Sequence, residues 1–231
     1  MVRLRDDAPA KRKHAEKRAA DAELTTGQML RQILASPPIL YLFLFFCIFS
    51  VAGSGLREFA VAGLMALHDM PVAAAGGAIS GFLFASAVGV LAGGYVADKT
   101  RRHDLEACIA LFVAAVMVVI IGGVDLHFTV LVFCFTIAGF FSGMIRPARD
   151  MMIRNAAPRG ATGKVFGFVF SGSSFGGGIA PVVYGFMLDF GKPSWIFYTS
   201  GAFMILCMVV VLLSGRAARR VADRHGHQDR H

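Results

Sequence analysis

Charged side chains are scarce in this sequence. Asp, Glu, Lys and Arg form 16% of its 231 residues, whereas 56% are hydrophobic; soluble domains carry about 25% charged residues. This deficit excludes an ordinary soluble domain and indicates a chain embedded in lipid. The formal net charge is +8, but the charges fall between apolar runs rather than along one helix face, so we predict no nucleic-acid binding.

Several functional signals are also missing. The first thirty residues lack the apolar segment of a signal peptide. The four cysteines stand alone in separate apolar runs, and the seven histidines fall in loops or tails, so neither set has metal-ligand or redox spacing. The sequence contains no phosphate-binding loop, nucleophile elbow or zinc-protease motif. We therefore predict that the chain is not an enzyme and has no cofactor and no metal.

Long apolar runs are what the sequence does contain. Each is close to the ~20 residues that a membrane-spanning helix needs. We predict six such helices, at about 38–67, 72–97, 105–123, 127–150, 164–188 and 194–214. The first run is too long for one straight crossing, so we expect it to tilt, or to break near Gly53 and Gly55.

Basic residues fix the expected domains and orientation. Apart from Arg57 and Lys192, every Lys and Arg falls before the first run, in the second-to-third or fourth-to-fifth loop, or after the sixth run. The positive-inside rule places these segments in the cytoplasm. We therefore expect a basic cytoplasmic segment at 1–36, a transmembrane domain at 37–214 and a cytoplasmic tail at 215–231.

An internal repeat accompanies the six runs. A shift of 91 residues aligns Ser80-Gly81 with Ser171-Gly172, Phe84 with Phe175, Gly94 with Gly185 and Asp98 with Asp189. Three crossings separate the two copies, so the second would be inverted, which is typical of secondary transporters. The alternative is a chance similarity between two glycine-rich helices. We expect an all-α bundle of two inverted three-helix repeats.

The loop from Gly94 to Arg102 resembles the cytoplasmic signature of the major facilitator superfamily, although Arg101 stands where that family often has glycine. The segment from Gly143 to Trp195 is also similar to the last third of these transporters. The resemblance covers roughly residues 37–214 and implies the C-terminal half of a twelve-helix transporter, with 1–36 resembling the loop between halves.

The resemblance also implies a role for the loop, which is to latch one conformation of the transport cycle. Gly94 would allow close helix approach, Asp98 would accept bonds from free N–H groups at a helix start, and basic residues would pair with Asp98 or bind lipid headgroups. The candidate latch residues are Gly94, Asp98, Lys99, Arg101 and Arg102. The alternative is a plain positive-inside loop in which Asp98 caps the third helix.

Arg57 and Glu58 are the only strongly ionisable pair well inside an apolar run. Such residues usually face a cavity or a partner. Under the family resemblance, Glu58 would carry a proton and Arg57 would bind an anionic substrate or neutralise Glu58. Alternatively, both residues lie at the outer interface, where Arg57 reaches the headgroups and pairs with Glu58.

Small hydroxyl side chains supply further candidates for a substrate site. The fifth run carries a serine-rich stretch followed by Gly176, Gly177, Gly178 and Pro181, which predicts either tight helix packing with a kink or a flexible cavity wall. The candidate hydroxyls are Thr136, Ser142, Ser171, Ser173 and Ser174.

Together these features predict secondary active transport of a small solute by alternating access, coupled to protons. The alternative is a non-transporting membrane subunit, or a truncated half-transporter that needs a partner. We expect an integral protein of the bacterial cytoplasmic (inner) membrane, with both termini cytoplasmic. Its expected partners are the lipid bilayer, a small-molecule substrate and a second six-helix half, either another copy or a separate N-terminal half.

Overall fold

The fold is taken from a computed structural model, which describes residues 36–100, 102–157 and 161–228, with side chains as far as Gly215. Six helices in this part are long and apolar enough to cross a membrane, and it contains no strand. They are α1 (Pro37–His68), α2 (Val72–Lys99), α3 (His103–Gly123), α4 (Phe128–Ala156), α5 (Thr162–Asp189) and α6 (Ser194–Gln228). The predicted all-α, six-helix transmembrane fold is therefore confirmed.

The ends of the helices follow local sequence. Pro71 has extended backbone and precedes α2, while Asp69 adopts a left-handed conformation (φ 48°) after the end of α1. Within α1, the expected break near Gly53 and Gly55 is instead a π-helical turn over Gly55–Phe59, on either side of which the α-helix continues. The extra residue in such a turn leaves the helix unbroken.

Two helices are longer than the sequence predicted. The helix α4 contains Pro147 and continues past the predicted end at about residue 150 to Ala156, so Arg146 and Arg149, which the positive-inside argument counts as loop residues, lie inside it. The helix α6 extends to Gln228. Proline is tolerated in membrane helices because neighbouring groups satisfy the freed backbone atoms, and this explains why Pro147 does not end α4. Apart from Ser36, the segment 1–36 lies outside the described residues.

Helix packing repeats within the bundle. The contact of α2 with α4 corresponds to that of α5 with α1, and the contact of α3 with α4 corresponds to that of α6 with α1. The helices α3 and α6 also pack on each other. If α1, α2 and α3 are exchanged with α4, α5 and α6 respectively, the same five packing pairs result. Because three crossings separate the units, the second is inverted relative to the first, as the sequence repeat predicted.

The closest helix approach joins α2 to α4. A Cβ atom on Gly89 would lie 2.0 Å from Phe140 O, and one on Gly93 would lie 2.5 Å from Met144 O. The approach is equally close from the side of α4, since a Cβ on Gly143 would lie 2.0 Å from Ser86 O. The prediction that Gly94 allows close helix approach is wrong within this bundle, because a Cβ on Gly94 would meet nothing within 4 Å. Glycines spaced by four residues therefore bring the two backbones together.

Candidate functional site

The π-helical turn of α1 is held against two other helices. A Cβ on Gly55 would lie 2.2 Å from Ser200 Oγ of α6 and 2.6 Å from Tyr184 Cζ of α5. Tyr184 and Ser200 are both fully buried, and their hydroxyl oxygens are 3.0 Å apart, within hydrogen-bond distance. A larger residue than Gly55 would therefore collide with Tyr184 or Ser200 at the start of the π-helical turn. Turns of this kind are frequent at functional sites.

Arg57 lies in this turn, and its side chain folds back along α1. Its Nη1 and Nη2 atoms are each 2.9 Å from the position of a Cβ on Gly53. Gly53 is about 24 Å along α1 from Pro37, and the 32-residue helix is about 48 Å long at 1.5 Å per residue. The half-buried guanidinium is therefore level with the middle of α1.

Glu58 follows Arg57 and has a different environment. Its side chain is exposed, and its Oε1 accepts a hydrogen bond from Ser54 Oγ at 3.2 Å. Glu58 also lies within electrostatic range of the Arg57 guanidinium.

The structure adds Arg146, Arg149 and Asp150 of α4 to the site, although the positive-inside argument counts the two arginines among the basic loop residues. Arg149 of α4 is 14% exposed, and its guanidinium Cζ lies 4.4 Å from the ring centroid of Phe46 on α1. Its Nε is 3.3 Å from Asp150 Oδ1. Arg146 lies within electrostatic range of Arg57, Arg149 and Asp150. We call Arg57, Glu58, Arg146, Arg149 and Asp150 the charged cluster.

A signal for this cluster was present in the sequence. Arg146, Arg149 and Asp150 are spaced i, i+3 and i+4, so they share one face of any helix that continues through them. The predicted fourth helix (127–150) contains all three residues, but the two arginines are counted with the basic residues of the adjoining loop. The structure shows that the helix continues and directs this face towards α1.

The predicted hydroxyls have different environments, and two of them bond within their own helices. Thr136 donates to Val132 O in its own helix at 2.8 Å, and Ser171 donates to Phe168 O at 2.7 Å. Ser142 is buried, Ser173 is half-buried and Ser174 is exposed. Tight packing explains the neighbouring glycines, since a Cβ on Gly176 would lie 2.1 Å from Cys47 O of α1.

The candidate latch loop lies at the junction of α2 and α3. Asp98 is exposed in the last turn of α2, and Lys99 Nζ donates to Tyr95 Oη. Arg102 is the N-cap residue of α3, which has no side-chain cap hydrogen bond. The expectation that Asp98 caps the third helix is therefore wrong, because Asp98 belongs to the preceding helix. Arg101 lies outside the described residues.

Comparison with known proteins supports the same assignment as the fold. The model of the Major Facilitator Superfamily matches residues 55–230, which begin at the π-helical turn and include all of α2–α5. No curated protein matches the chain. The family match covers well over half of the sequence, and the six apolar helices form one half-domain of the corresponding fold. The chain therefore belongs to the major facilitator superfamily of membrane transporters.

Proposed function

We propose that this chain is one six-helix half of a secondary transporter that moves a small solute by alternating access, coupled to protons. The charged cluster carries the proposal. A charge in the hydrocarbon core is unfavourable by about 2.5–3.5 kcal/mol on insertion scales, and such residues usually line substrate or ion pathways. Here two helices from different repeats contribute to one cluster, with Arg57 at the level of the middle of α1.

The cluster suggests a division of roles. Arg57 and Arg146 present positive charge to an anionic group of the substrate, while Arg149 is occupied by Asp150 and Phe46. Glu58 carries the proton, because its exposed carboxylate can be reached from the pathway and its charge opposes that of Arg57. Protonation of Glu58 would strengthen the attraction of Arg57 for an anion, which couples the two events. Ser142, Thr136, Ser171, Ser173 and Ser174 remain candidate substrate contacts.

Reconstituted protein tests this proposal. A thermal-shift screen of small anions and neutral solutes first selects a ligand, and proteoliposomes then measure its counterflow and its pH-driven accumulation. We expect Glu58→Gln to lose pH-driven accumulation and to keep counterflow, since only the proton step is removed. Arg57→Gln should lose both. Asp125→Asn, a change in an exposed loop, is the matched control; normal pH-driven accumulation in Glu58→Gln would refute the role of Glu58.

The alternative function, a non-transporting membrane subunit, predicts a different result. Such a chain would show no saturable counterflow of any solute in the panel, either alone or with its membrane partner. The charged cluster would then be structural, and the Arg57→Gln and Glu58→Gln variants would differ from the native chain only in stability.

We propose further that a second six-helix half covers the exposed faces of α2 and α5. Positions related by the 91-residue repeat have nearly the same exposure: Phe84 76% and Phe175 65%, Leu91 77% and Val182 73%, Tyr95 64% and Phe186 62%. Equivalent helices of the two repeats thus present equivalent apolar faces, which suits a partner with the same internal symmetry. That partner is either a second copy or a separate N-terminal half.

The orientation belongs to the same proposal. We propose that both termini and the α2–α3 and α4–α5 junctions lie on the cytoplasmic side of a bacterial inner membrane; the basic residues near these junctions support this orientation through the positive-inside rule. In that orientation Gly94, Asp98, Lys99, Arg101 and Arg102 face the cytoplasm, where they latch one state of the cycle through contacts with the second half.

A further inference from the structure

A small pocket lies beside the α2–α3 junction, away from the charged cluster. It has a volume of about 260 Å³ and is bounded by the end of α2, the first two turns of α3 and the middle of α4. Its walls are mainly apolar and include Val96, Ile109 and Phe141, while Arg102 and Glu106 supply charge. The pocket is therefore an apolar slot that contains one acidic and one basic side chain.

The acidic residue is buried and has no partner. Glu106 is 8% exposed, and neither of its carboxylate oxygens has a hydrogen-bond partner among the described residues. Its backbone N–H donates to Arg102 O at 3.2 Å, so the helix start is satisfied by backbone rather than by this side chain. A buried carboxylate without a donor is strongly unfavourable. A group that donates hydrogen bonds to Glu106 is missing from the described chain.

The basic residue marks the mouth of the pocket. Arg102 is exposed and lies one helical turn before Glu106, on the same face of α3. The slot thus combines an exposed basic side chain with a buried carboxylate. A ligand that fits this order has a cationic group at its inner end and an anionic group next to it.

We propose that this pocket binds a primary ammonium group joined to a phosphate, with Glu106 as the counter-ion of the ammonium and Arg102 as the ligand of the phosphate. An ammonium group carries three N–H donors, which can satisfy both carboxylate oxygens of Glu106. Arginine suits phosphate because its N–H groups match the phosphate oxygens in pairs. The chemistry is that of an aminophospholipid headgroup or of a soluble aminoalkyl phosphate.

Size and position agree with this ligand class. The pocket is smaller than the ~300–1,000 Å³ of sites for drug-sized molecules, so it suits a headgroup rather than a larger solute. It also lies at a helix–loop junction, the level at which lipid headgroups meet a membrane protein. The apolar walls then contact the methylene groups that join the ammonium to the phosphate. The site shares no residue with the charged cluster, and among the described residues Arg102 is the one that it shares with the proposed latch.

Headgroup chemistry provides the first test, on the unchanged full chain in detergent. Native mass spectrometry compares phosphatidylethanolamine, phosphatidylcholine and phosphatidylglycerol with identical short acyl chains. We expect phosphatidylethanolamine to bind at least about tenfold more tightly than the others, since trimethylation removes the N–H donors and glycerol removes the cation. Equal affinities for the three lipids would overturn the proposal without any variant.

The second arm identifies the source of the ligand. Soluble phosphoethanolamine, without acyl chains, competes with phosphatidylethanolamine in the same measurement. If phosphoethanolamine competes at concentrations similar to that of phosphatidylethanolamine, the ligand is a soluble aminoalkyl phosphate. If it competes only at much higher concentrations, the ligand is the membrane lipid. Failure to compete at any concentration, together with equal binding of all lipids, contradicts the site.

Variants test the two contacts separately. Glu106→Gln keeps the shape but removes the charge, so it should abolish the preference for the primary ammonium. Arg102→Gln should weaken phosphatidylethanolamine and phosphatidylcholine alike, because both carry the phosphate. Asp125→Asn removes an exposed carboxylate elsewhere and should change neither affinity. A Glu106→Gln protein that keeps the native preference would refute the counter-ion role.

Discussion

The guanidinium of Arg149 lies over the ring of Phe46, with Cζ 4.4 Å from the ring centroid, although the two residues belong to different repeats. Phe170 of α5 is a further neighbour, at 5.8 Å, and Asp150 balances the charge at 3.3 Å. Arg149 therefore connects α4 with α1 and α5 through its cation–π contacts. Arg149 also lies within electrostatic range of Arg57, so one side chain contributes both to helix packing and to the charged cluster.

This contact predicts a selective loss of stability in Arg149→Lys. Lysine keeps the charge but loses the planar group that stacks on Phe46, and the expected cost is about 1 kcal/mol. The thermal unfolding midpoint in detergent should fall by roughly 2–4 °C for a chain of this size. Arg154→Lys, an exposed position on the same helix, is the control. Equal midpoints for both variants would show that the stacking contributes nothing.

The glycine contacts between α2 and α4 predict a sharp contrast between neighbouring positions. Gly93→Ala places a methyl group 2.5 Å from Met144 O, so the helices must separate, at an expected cost of about 1–3 kcal/mol. Gly94→Ala meets open space and should be neutral or stabilising by up to about 1 kcal/mol, because alanine favours helix. Thermal unfolding of both purified variants measures the contrast. A larger loss in Gly94→Ala would contradict the packing described above.

The number of helices was predictable because it depends on local runs of apolar residues. The inverted repeat was predictable because a shift of 91 residues aligns its two copies. Twenty apolar residues in a row leave few alternatives to a membrane helix, and loop charge separates one run from the next. The end of α4 was not predictable in the same way. The predicted helix ran past Pro147 to about residue 150, but the polar residues that follow gave no apolar signal for its continuation to Ala156.

The candidate site was predicted only in part. Arg57 and Glu58 stand out because they interrupt an apolar run, whereas Arg149 is hidden among the basic residues near the end of α4. Its burial depends on Phe46 and Phe170, which are distant in sequence. Gly93 and Gly94 illustrate the same limit: adjacent glycines point in different directions, and only the packing of α4 shows which one is needed.

The proposed orientation predicts opposite accessibility for two exposed loops. Lys99 lies at the end of α2 and Lys192 lies between α5 and α6, and both side chains are exposed. Single cysteines at these positions, in a chain without native cysteines, should react with a membrane-impermeant maleimide from opposite sides. In intact cells Lys192→Cys should label and Lys99→Cys should not. Labelling of both from outside would remove the model with six spans and both ends in the cytoplasm.

The matched faces of α2 and α5 predict where a partner half makes contact. Phe84 and Phe175 are repeat-related and strongly exposed, so a partner with two-fold internal symmetry would cover both. Cysteines there, in a background lacking Cys47, Cys108, Cys134 and Cys207, should form cross-links in native membranes. Phe112 of α3 and Val209 of α6 are also exposed, but they are not repeat-related to these faces, and cysteines there should give little product.

A product of twice the chain mass of 24.7 kDa would identify a second copy, whereas any other mass would identify a separate half. Equal cross-linking from all four positions would contradict a defined interface, because random collision in the bilayer does not distinguish α2 and α5 from α3 and α6.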